Sequence, residues 1–133
     1  MIADLLAGQV QVGIDVMTTA LPQIRSGALR ALAVGGKRRF PGLPDVPTVG
    51  ETVAGYEANS WCGVGVPKGT PGDIIERLNR EINAALADAT LKARFSDLGG
   101  MVLPGSPDDF GKLIRDETEK WAKVIRAANI KVE

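Results

Sequence analysis

The chain has 133 residues, 44% of them apolar and 24% charged, and sixteen basic residues balance sixteen acidic ones. This length and composition predict about one folded domain rather than a disordered segment. Zero net charge argues against nucleic acid as a partner, because binding to a phosphate backbone normally requires a basic excess. With no histidine and one cysteine, Cys62, the sequence excludes His-dependent catalysis, His-ligated zinc and an intrachain disulfide, and no metal or cofactor is predicted.

The N-terminal residues carry no recognisable targeting signal. No apolar run approaches the roughly 20 residues that a membrane span needs. The first ten residues, Met-Ile-Ala-Asp-Leu-Leu-Ala-Gly-Gln-Val, lack the basic start and the apolar stretch of a secretory signal. Taken alone, these features predict a soluble chain and leave its compartment open.

Helix and strand patterns alternate along the chain. Alternating or continuous apolar residues predict four strands, over residues 10–16, 29–34, 60–66 and 101–103. Helical patterns begin near residues 2, 18, 70, 88 and 106, and residues 48–53 predict one further helical turn. Between the second and third strands, residues 37–47 predict an ordered, Pro-rich surface loop. This order of elements predicts an α/β fold with a largely parallel sheet.

The predicted helices have recognisable caps. Thr70-Pro-Gly-Asp and Ser106-Pro-Asp-Asp each offer a hydroxyl cap, a proline at the first helical position and an acid three residues after the cap. Thr18 and Thr19 offer hydroxyl caps for the second helix and place Pro22 in its first turn. After each of the caps that begin at Thr70 and Ser106, apolar residues recur at helical spacing and predict a buried stripe. The first stripe is Ile74, Leu78, Ile82 and Leu86, and the second is Phe110, Leu113, Ile114, Trp121 and Ile125.

Asp15 is the leading candidate for a functional side chain. It follows an apolar strand pattern and precedes a helix start, and ligands of open α/β sheets bind outside the carboxyl ends of strands. Its carboxylate could accept a hydrogen bond from a ligand, or it could cap the turn in which it lies. The run Lys37-Arg38-Arg39 likewise has two interpretations, a solvated turn or an anion site. Spacing alone leaves both alternatives open.

An ordered series of segments resembles one family, the Bug-type (tripartite tricarboxylate transporter) extracytoplasmic solute-binding proteins. The most specific segment is Leu-Pro-Asp-Val-Pro-Thr at 43–48. The whole series covers residues 4–10, 20–27, 29–34, 43–49, 60–61, 67–71 and 120–124. Members of this family are about twice as long and have two α/β domains with the ligand between them. The resemblance therefore implies a truncated chain, of type II periplasmic-binding-protein fold, that corresponds to the C-terminal part of a receptor.

This resemblance also implies a domain organisation. Residues 1–28 correspond to the tail of the second ligand-binding domain, 29–36 to a crossover strand, and 37–133 to the segment that returns to the first domain. The loops that hold much of the ligand in the family have no counterpart in this chain, so we expect native-like affinity to be lost. The family's location is periplasmic, and its partners are small carboxylates and membrane transporter subunits.

The resemblance assigns ligand contacts to Asp15 first, and then to Thr18, Thr19 and Trp61. Asp15 matches the acid of a Phe-Asp segment that faces the family's cleft, although Ile14 stands here in place of the usual Phe. Val16 likewise occupies a position where a polar residue is common. Trp61 has the alternative interpretation of a core aromatic residue.

Three classes of function follow from these observations. The leading interpretation is a non-enzymatic solute receptor, expected to form a homo-oligomer because exposed strand edges invite pairing with another chain. The second is a small stand-alone α/β interaction or dimerisation domain that needs no ligand. An enzyme is the third, and the sequence offers no general acid–base group pair to support it.

Overall fold

The computed structural model describes residues 1–131, and their contacts divide into two units. Unit 1 comprises Met1–Cys62 and Ala89–Val102, and unit 2 comprises Gly63–Asp88 and the described residues from Leu103 onwards. The chain therefore leaves unit 1 and returns to it once before it ends in unit 2.

Unit 1 contains three α-helices and one short 3-10 helix. The α-helices are α1 (Ile2–Leu6), α2 (Met17–Arg25) and α4 (Ala89–Asp97), and the 3-10 helix is Val49–Glu51. The Arg25 guanidinium ties α2 to α4, donating to the Asp97 carbonyl oxygen at 3.3 Å. Unit 2 contains α3 (Gly72–Ala87) and α5 (Pro107–Ala127). No helix in residues 1–131 combines the length and the apolar character needed to cross a bilayer.

One predicted cap is confirmed in full. Ser106 caps α5 in a capping box, because its hydroxyl accepts from the Asp109 N–H at 3.1 Å while the Asp109 carboxylate accepts from the Ser106 N–H at 2.8 Å. The Ser106 hydroxyl, at 2.6 Å, and the Ser106 N–H both donate to Asp109 Oδ2, and these two bonds hold the pKa of the Asp109 carboxyl below its usual value. The cap therefore satisfies the Asp109 N–H, one of the N–H groups of the first turn of α5 that have no acceptor within the helix.

Two other predicted caps are wrong by one to three residues. The N-cap of α3 is Pro71, and the Thr70 hydroxyl donates to the Pro67 carbonyl oxygen at 2.9 Å, so it serves the preceding turn. The N-cap of α2 is Val16, and the Thr19 hydroxyl donates back to the Val16 carbonyl oxygen at 2.9 Å. Because α2 begins earlier than predicted, Pro22 lies inside the helix and has no N–H to give to the carbonyl of the preceding turn.

None of the four predicted strands forms a ladder within residues 1–131. Their place is taken by chain without regular structure and by one isolated parallel bridge between Val34 and Thr48. A helix satisfies its own backbone hydrogen bonds, whereas a strand needs a neighbouring strand to satisfy its own. Several apolar residues of these segments are correspondingly exposed, among them Val12, Ile14, Val64 and Leu103.

The core of unit 1 forms around a loop, residues 34–58, that we call the 34–58 loop. Val34 and Phe40 are buried together with Leu21 from α2. Backbone bonds close the loop, since the Val34 N–H donates to Pro47 at 2.9 Å and the Ala58 N–H donates to Gly35 at 2.9 Å. Gly35 is required at this contact, because a Cβ there would lie 2.3 Å from the Ala58 carbonyl oxygen.

Unit 2 is fixed by an amide network between α3 and the start of α5. The Asn83 side chain donates to the Gly105 carbonyl oxygen at 2.9 Å and accepts from the Gly105 N–H at 3.1 Å. Asn79 donates to the same carbonyl oxygen at 2.8 Å. The two long helices nevertheless keep much of their predicted apolar stripes exposed, at Ile74, Leu78, Ile114, Trp121 and Ile125.

Candidate functional site

The best candidate site is the N-terminal end of α2, where Asp15 and the first helical residues meet. Asp15 is exposed, and its Oδ1 accepts a hydrogen bond from the Val16 N–H at 2.7 Å. The structure thus supports the turn-capping interpretation of Asp15. It leaves the second carboxylate oxygen, Oδ2, without a hydrogen bond from residues 1–131, so this oxygen can accept one from a ligand hydroxyl.

The first turn of α2 presents backbone donors beside that carboxylate. The N–H groups of Thr19 and Ala20 both point to the Val16 carbonyl oxygen, at 3.2 Å each. Those of Met17 and Thr18 have no acceptor within residues 1–131, as is usual for the first turn of a helix. Free N–H groups and the helix dipole favour an anion at this end, whereas the Asp15 charge opposes one.

The structure brings together three of the four predicted site residues. Asp15 and the exposed Thr18 and Thr19 lie within five residues of each other at the start of α2. The Thr19 hydroxyl is engaged with Val16, which makes Thr18 the more available hydroxyl. Trp61 belongs to the same unit, at the end of its first chain segment, and is half-buried. No group of acidic or cysteine side chains in the described part of the chain could hold a metal ion.

A second feature of unit 1, which no sequence pattern predicted, is a surface depression of about 320 Å³. Its lining is Lys37, Thr48, Gly50, Glu51, Gly55, Tyr56 and Glu57. The charged lining groups are already in ion pairs, Lys37 Nζ with Glu57 Oε2 at 3.5 Å and Glu51 with Arg39. Nothing in the sequence signals this depression, because it depends on the path of the 34–58 loop.

Arg39 makes a two-pronged contact with Glu51, with Nε to Oε1 at 2.9 Å and Nη2 to Oε2 at 2.6 Å. The hydrogen bonds from Arg39 and from the Thr48 N–H lower the pKa of the Glu51 carboxyl to about 2. The same pairing raises the pKa of Arg39. Of the two interpretations of the Lys37-Arg38-Arg39 run, the anion site is therefore disfavoured at Arg39, whose guanidinium is held by a carboxylate.

Comparison with known proteins identifies the family. Residues 1–130 match the model of the tripartite tricarboxylate transporter family receptor. The chain belongs to this family. The resemblance noted in the sequence is thereby confirmed, and the alternative of a stand-alone interaction domain finds no support among the relatives.

Two curated relatives show how much of a receptor the chain represents. A UPF0065 protein encoded in the tcbD-tcbE intergenic region of Pseudomonas sp. strain P51 is 41% identical over 126 residues, which are 93% of this chain and 38% of that protein. BugT of Bordetella pertussis is 39% identical over 135 residues, covering 99% of this chain and 41% of that protein. The chain thus spans about two fifths of the length of these relatives.

Solved structures confirm the predicted fold class, that of the periplasmic binding proteins. R. palustris Rpa4515, solved with adipate, superposes with a TM-score of 0.87 at 35% identity over 96% of this chain and 43% of that one. The periplasmic binding protein BugD superposes with a TM-score of 0.85 at 33% identity over 99% of this chain and 45% of that one. MatC from Rhodopseudomonas palustris, solved with malate, gives 0.74 at 30% identity over 93% and 44%.

Proposed function

We propose that the chain is part of an extracytoplasmic solute receptor that binds small carboxylates without catalysing a reaction. The observation that carries this proposal is the match of residues 1–130 to a receptor family. Adipate and malate in two structural neighbours point to dicarboxylates as the ligand class. BugD, which is described as a periplasmic binding protein, indicates the periplasm as the compartment, and the family description indicates membrane transporter subunits as partners.

The proposed domain organisation follows the resemblance. Residues 1–28 would belong to the second ligand-binding domain, 29–36 to a crossover strand and 37–133 to the returning part of the first domain. The start of α2 then lies in the part of the chain that faces ligand. Because the chain spans about two fifths of its curated relatives, we expect it to supply part of the ligand's surroundings and to bind more weakly than they do.

Within this site we assign two different roles. The free N–H groups at the start of α2, with the Thr18 hydroxyl beside them, would receive a ligand carboxylate. Asp15 would discriminate between ligands, because a carboxylate repels an anion by about 1 kcal/mol at 4 Å in water but accepts a hydrogen bond from a hydroxyl. Thr19 and Trp61 remain candidates for ligand contact through the backbone turn and an aromatic face, respectively.

The two ligands of the structural neighbours provide the test, because malate carries a hydroxyl and adipate does not. Calorimetric titration of the chain with each should give saturable binding, with Kd of about 1 mM or weaker. In Asp15→Asn, loss of the charged acceptor should reduce the preference for malate over adipate by about threefold to tenfold. Asp45→Asn, which removes an exposed carboxylate elsewhere in unit 1, should leave that preference unchanged.

Two results would contradict these assignments. A chain that shows its helices by circular dichroism but no saturable heat with either dicarboxylate would overturn the proposal that the start of α2 by itself receives a ligand carboxylate. If Asp15→Asn binds both ligands and prefers malate over adipate as strongly as the unchanged chain does, only the proposed role of Asp15 is overturned.

Association of the chain with itself belongs to the same proposal. The predicted strands lack ladder partners within residues 1–131, and their apolar residues are exposed. A second copy would cover them, because unpaired strand edges add strands readily. Sedimentation equilibrium should therefore show a dimer or a larger assembly, and a monomer at every concentration would contradict this part of the proposal.

A further inference from the structure

We propose that Gly99, in the turn directly after α4, is a positioning residue for the start of α2, where a ligand carboxylate would bind. This inference rests on the proposed function and adds to it a residue that is distant in the sequence. Gly99 does not touch the ligand in this proposal and acts through Met17, the first residue of α2. Both residues belong to unit 1.

The contact between Gly99 and Met17 leaves no room for a side chain at residue 99. Gly99 has a φ of +82°, in the left-handed region that glycine adopts without steric cost. A Cβ there would lie 2.5 Å from Met17 Cγ, and 3.1 Å from both the Cβ and the carbonyl carbon of Met17. These separations are inside the van der Waals contact of about 3.5–4.0 Å between carbon atoms. The turn after α4 therefore packs directly against the backbone of the first residue of α2.

The turn that contains Gly99 is fixed by its own hydrogen bonds. The Gly100 N–H donates to the Phe95 carbonyl oxygen at 2.8 Å, and the Gly99 N–H donates to the Ser96 carbonyl oxygen at 2.9 Å. This pair of bonds is the Schellman motif, which ends a helix on a left-handed residue. Because the motif requires the left-handed conformation, residue 99 cannot rotate away from Met17 without opening the end of α4.

Met17 is restrained by the core of unit 1. Its side chain packs against the buried Leu21, Val34 and Phe40. A side chain at residue 99 would therefore crowd Met17 between the turn and this core. The crowded atoms are the Cβ, the Cγ and the carbonyl carbon rather than the flexible end of the side chain. We therefore expect the displacement to reach the Met17 backbone.

A displacement of Met17 matters because its N–H is one of the donors assigned to the ligand. The N–H groups of Met17 and Thr18 have no acceptor within residues 1–131. A hydrogen bond weakens steeply as its geometry departs from linear, so a shifted first turn would hold any carboxylate less well. Asp15 instead distinguishes a ligand hydroxyl from its absence. Gly99 should therefore control affinity, whereas Asp15 should control preference.

The end of α4 also contacts the other end of α2. The Arg25 guanidinium donates to the Asp97 carbonyl oxygen at 3.3 Å, and Arg25 Nη2 lies 4.0 Å from Asp97 Oδ1. Both side chains are largely exposed, and ion pairs of this kind are weak. Arg25→Met should therefore change ligand affinity less than a substitution at Gly99, which contacts the ligand-binding end of the helix.

NMR amide signals of Met17 and Thr18 test the positioning without a ligand. Gly99→Ala should shift both signals. Gly27→Ala is the matched control, because Gly27 follows α2 with a φ of +78° but no atom lies within 4 Å of its Cβ position. Both substitutions place an L-residue in the left-handed region, and only the first crowds α2. Equal shifts of the two signals in both variants would overturn the inference.

Titration of the same signals with malate and with adipate tests the role towards a ligand. In Gly99→Ala, the Kd should rise about threefold to tenfold for both dicarboxylates, with their ratio unchanged. Gly27→Ala should keep both Kd values within about twofold of those of the unchanged chain. If the ratio changes while Gly27→Ala leaves it constant, Gly99 acts on ligand discrimination and the proposed role is wrong.

A second variant keeps the test valid if Gly99→Ala does not fold. Asn adopts the left-handed conformation more readily than Ala, yet its Cβ would meet the same Met17 atoms. Gly99→Asn should therefore keep its helices by circular dichroism and still show the higher Kd values. A folded Gly99→Asn chain with unchanged Kd values would overturn the positioning role.

The outcomes separate this inference from the proposed function. If the unchanged chain binds neither dicarboxylate, the carboxylate site at the start of α2 is overturned, and the role of Gly99 towards a ligand is overturned with it. If the unchanged chain and both Gly99 variants bind malate and adipate equally well, only the positioning role is overturned.

Discussion

The 34–58 loop of unit 1 and the long helices α3 and α5 of unit 2 reverse the usual relation between regular structure and burial. The loop has one 3-10 turn and one bridge, yet it contributes Val34, Phe40 and Thr48 to the buried residues of the chain. The helices are regular over sixteen and twenty-one residues, yet no residue in either of them is fully buried.

The difference reflects where each region finds its partners. Helices complete their backbone hydrogen bonds internally, so the backbones of α3 and α5 are satisfied although their apolar stripes are only partly covered. The loop has no such internal pattern and is held by contacts that cross it, among them the Arg39–Glu51 pair and the capping box between Thr48 and Glu51. Regular structure in this chain is thus a local property, whereas burial depends on contacts between separate segments.

The largest expected effect tests the burial of the 34–58 loop. Phe40→Ala should destabilise unit 1 by about 3–5 kcal/mol, because a 6% exposed aromatic side chain would leave a cavity beside Leu21 and Val34. Urea denaturation monitored by circular dichroism measures this loss in the free energy of unfolding. Phe95→Ala is the matched control, since Phe95 in α4 is 40% exposed, and it should lose less than half as much. Similar losses would contradict the placement of the core in the loop.

The next effect concerns the amide network of unit 2. Asn83→Ala should cost about 1–3 kcal/mol, because the Gly105 N–H loses its acceptor in a part-buried position. Hydrogen exchange at the Gly105 amide should accelerate in the same variant. Asn59→Ala, which removes only an exposed contact to Glu57, should change neither measurement. An unchanged exchange rate in Asn83→Ala would show that the network does not hold this segment.

A third comparison sets the confirmed cap against the one predicted wrongly. Ser106→Ala should cost about 1 kcal/mol, because it removes the hydroxyl that accepts from the Asp109 N–H. Thr70→Ala should stay within about 0.5 kcal/mol, because Thr70 lies outside α3 and serves the preceding turn. Thermal unfolding of both variants measures the difference, and the reverse order would place the cap of α3 at Thr70 after all.

The smallest effect concerns pH, because Glu51 is exposed to solvent and its ion pair is partly screened. Its folded-state pKa is lowered from 4.5 to about 2. The resulting stabilisation is present above the pKa of the unfolded chain and is lost as the pH falls towards 2. Glu51→Gln should remove this part of the acid sensitivity.

Urea midpoints measured between about pH 7 and about pH 2 would show this change as a difference between the variant and the unchanged chain. That difference isolates Glu51 from Asp109, Glu117 and Glu119, whose pKa values are also lowered. Arg39→Met should flatten the profile in part, because it removes the Arg39 hydrogen bonds that depress the Glu51 pKa and leaves the bond from the Thr48 N–H. A profile unchanged by either substitution would show that the pair contributes nothing measurable.

The sequence predicted the candidate site in part. Asp15, Thr18 and Thr19 do lie together at the start of α2, because they are close in the chain and a helix start orders them. The engagement of Asp15 Oδ1 with the Val16 N–H, and the resulting availability of Oδ2, depend on a rotamer that no sequence pattern specifies. The Glu51 environment was missed for a different reason, because Arg39 and Glu51 are twelve residues apart and are joined only by the turns between them.

The sequence by itself determined the helices of this protein, the Ser106 cap and the family to which the chain belongs. These depend on interactions between residues a few positions apart, or on the order of short segments along the chain. Tertiary structure decided that Phe40 is core, that Gly35 accommodates the Ala58 carbonyl oxygen, and that the four strand patterns form no ladder within residues 1–131. Alternating apolar residues specify which face of a strand is to be buried. The hydrogen bonds that make the segment a strand, however, require a neighbouring strand, which the segment's own sequence does not supply.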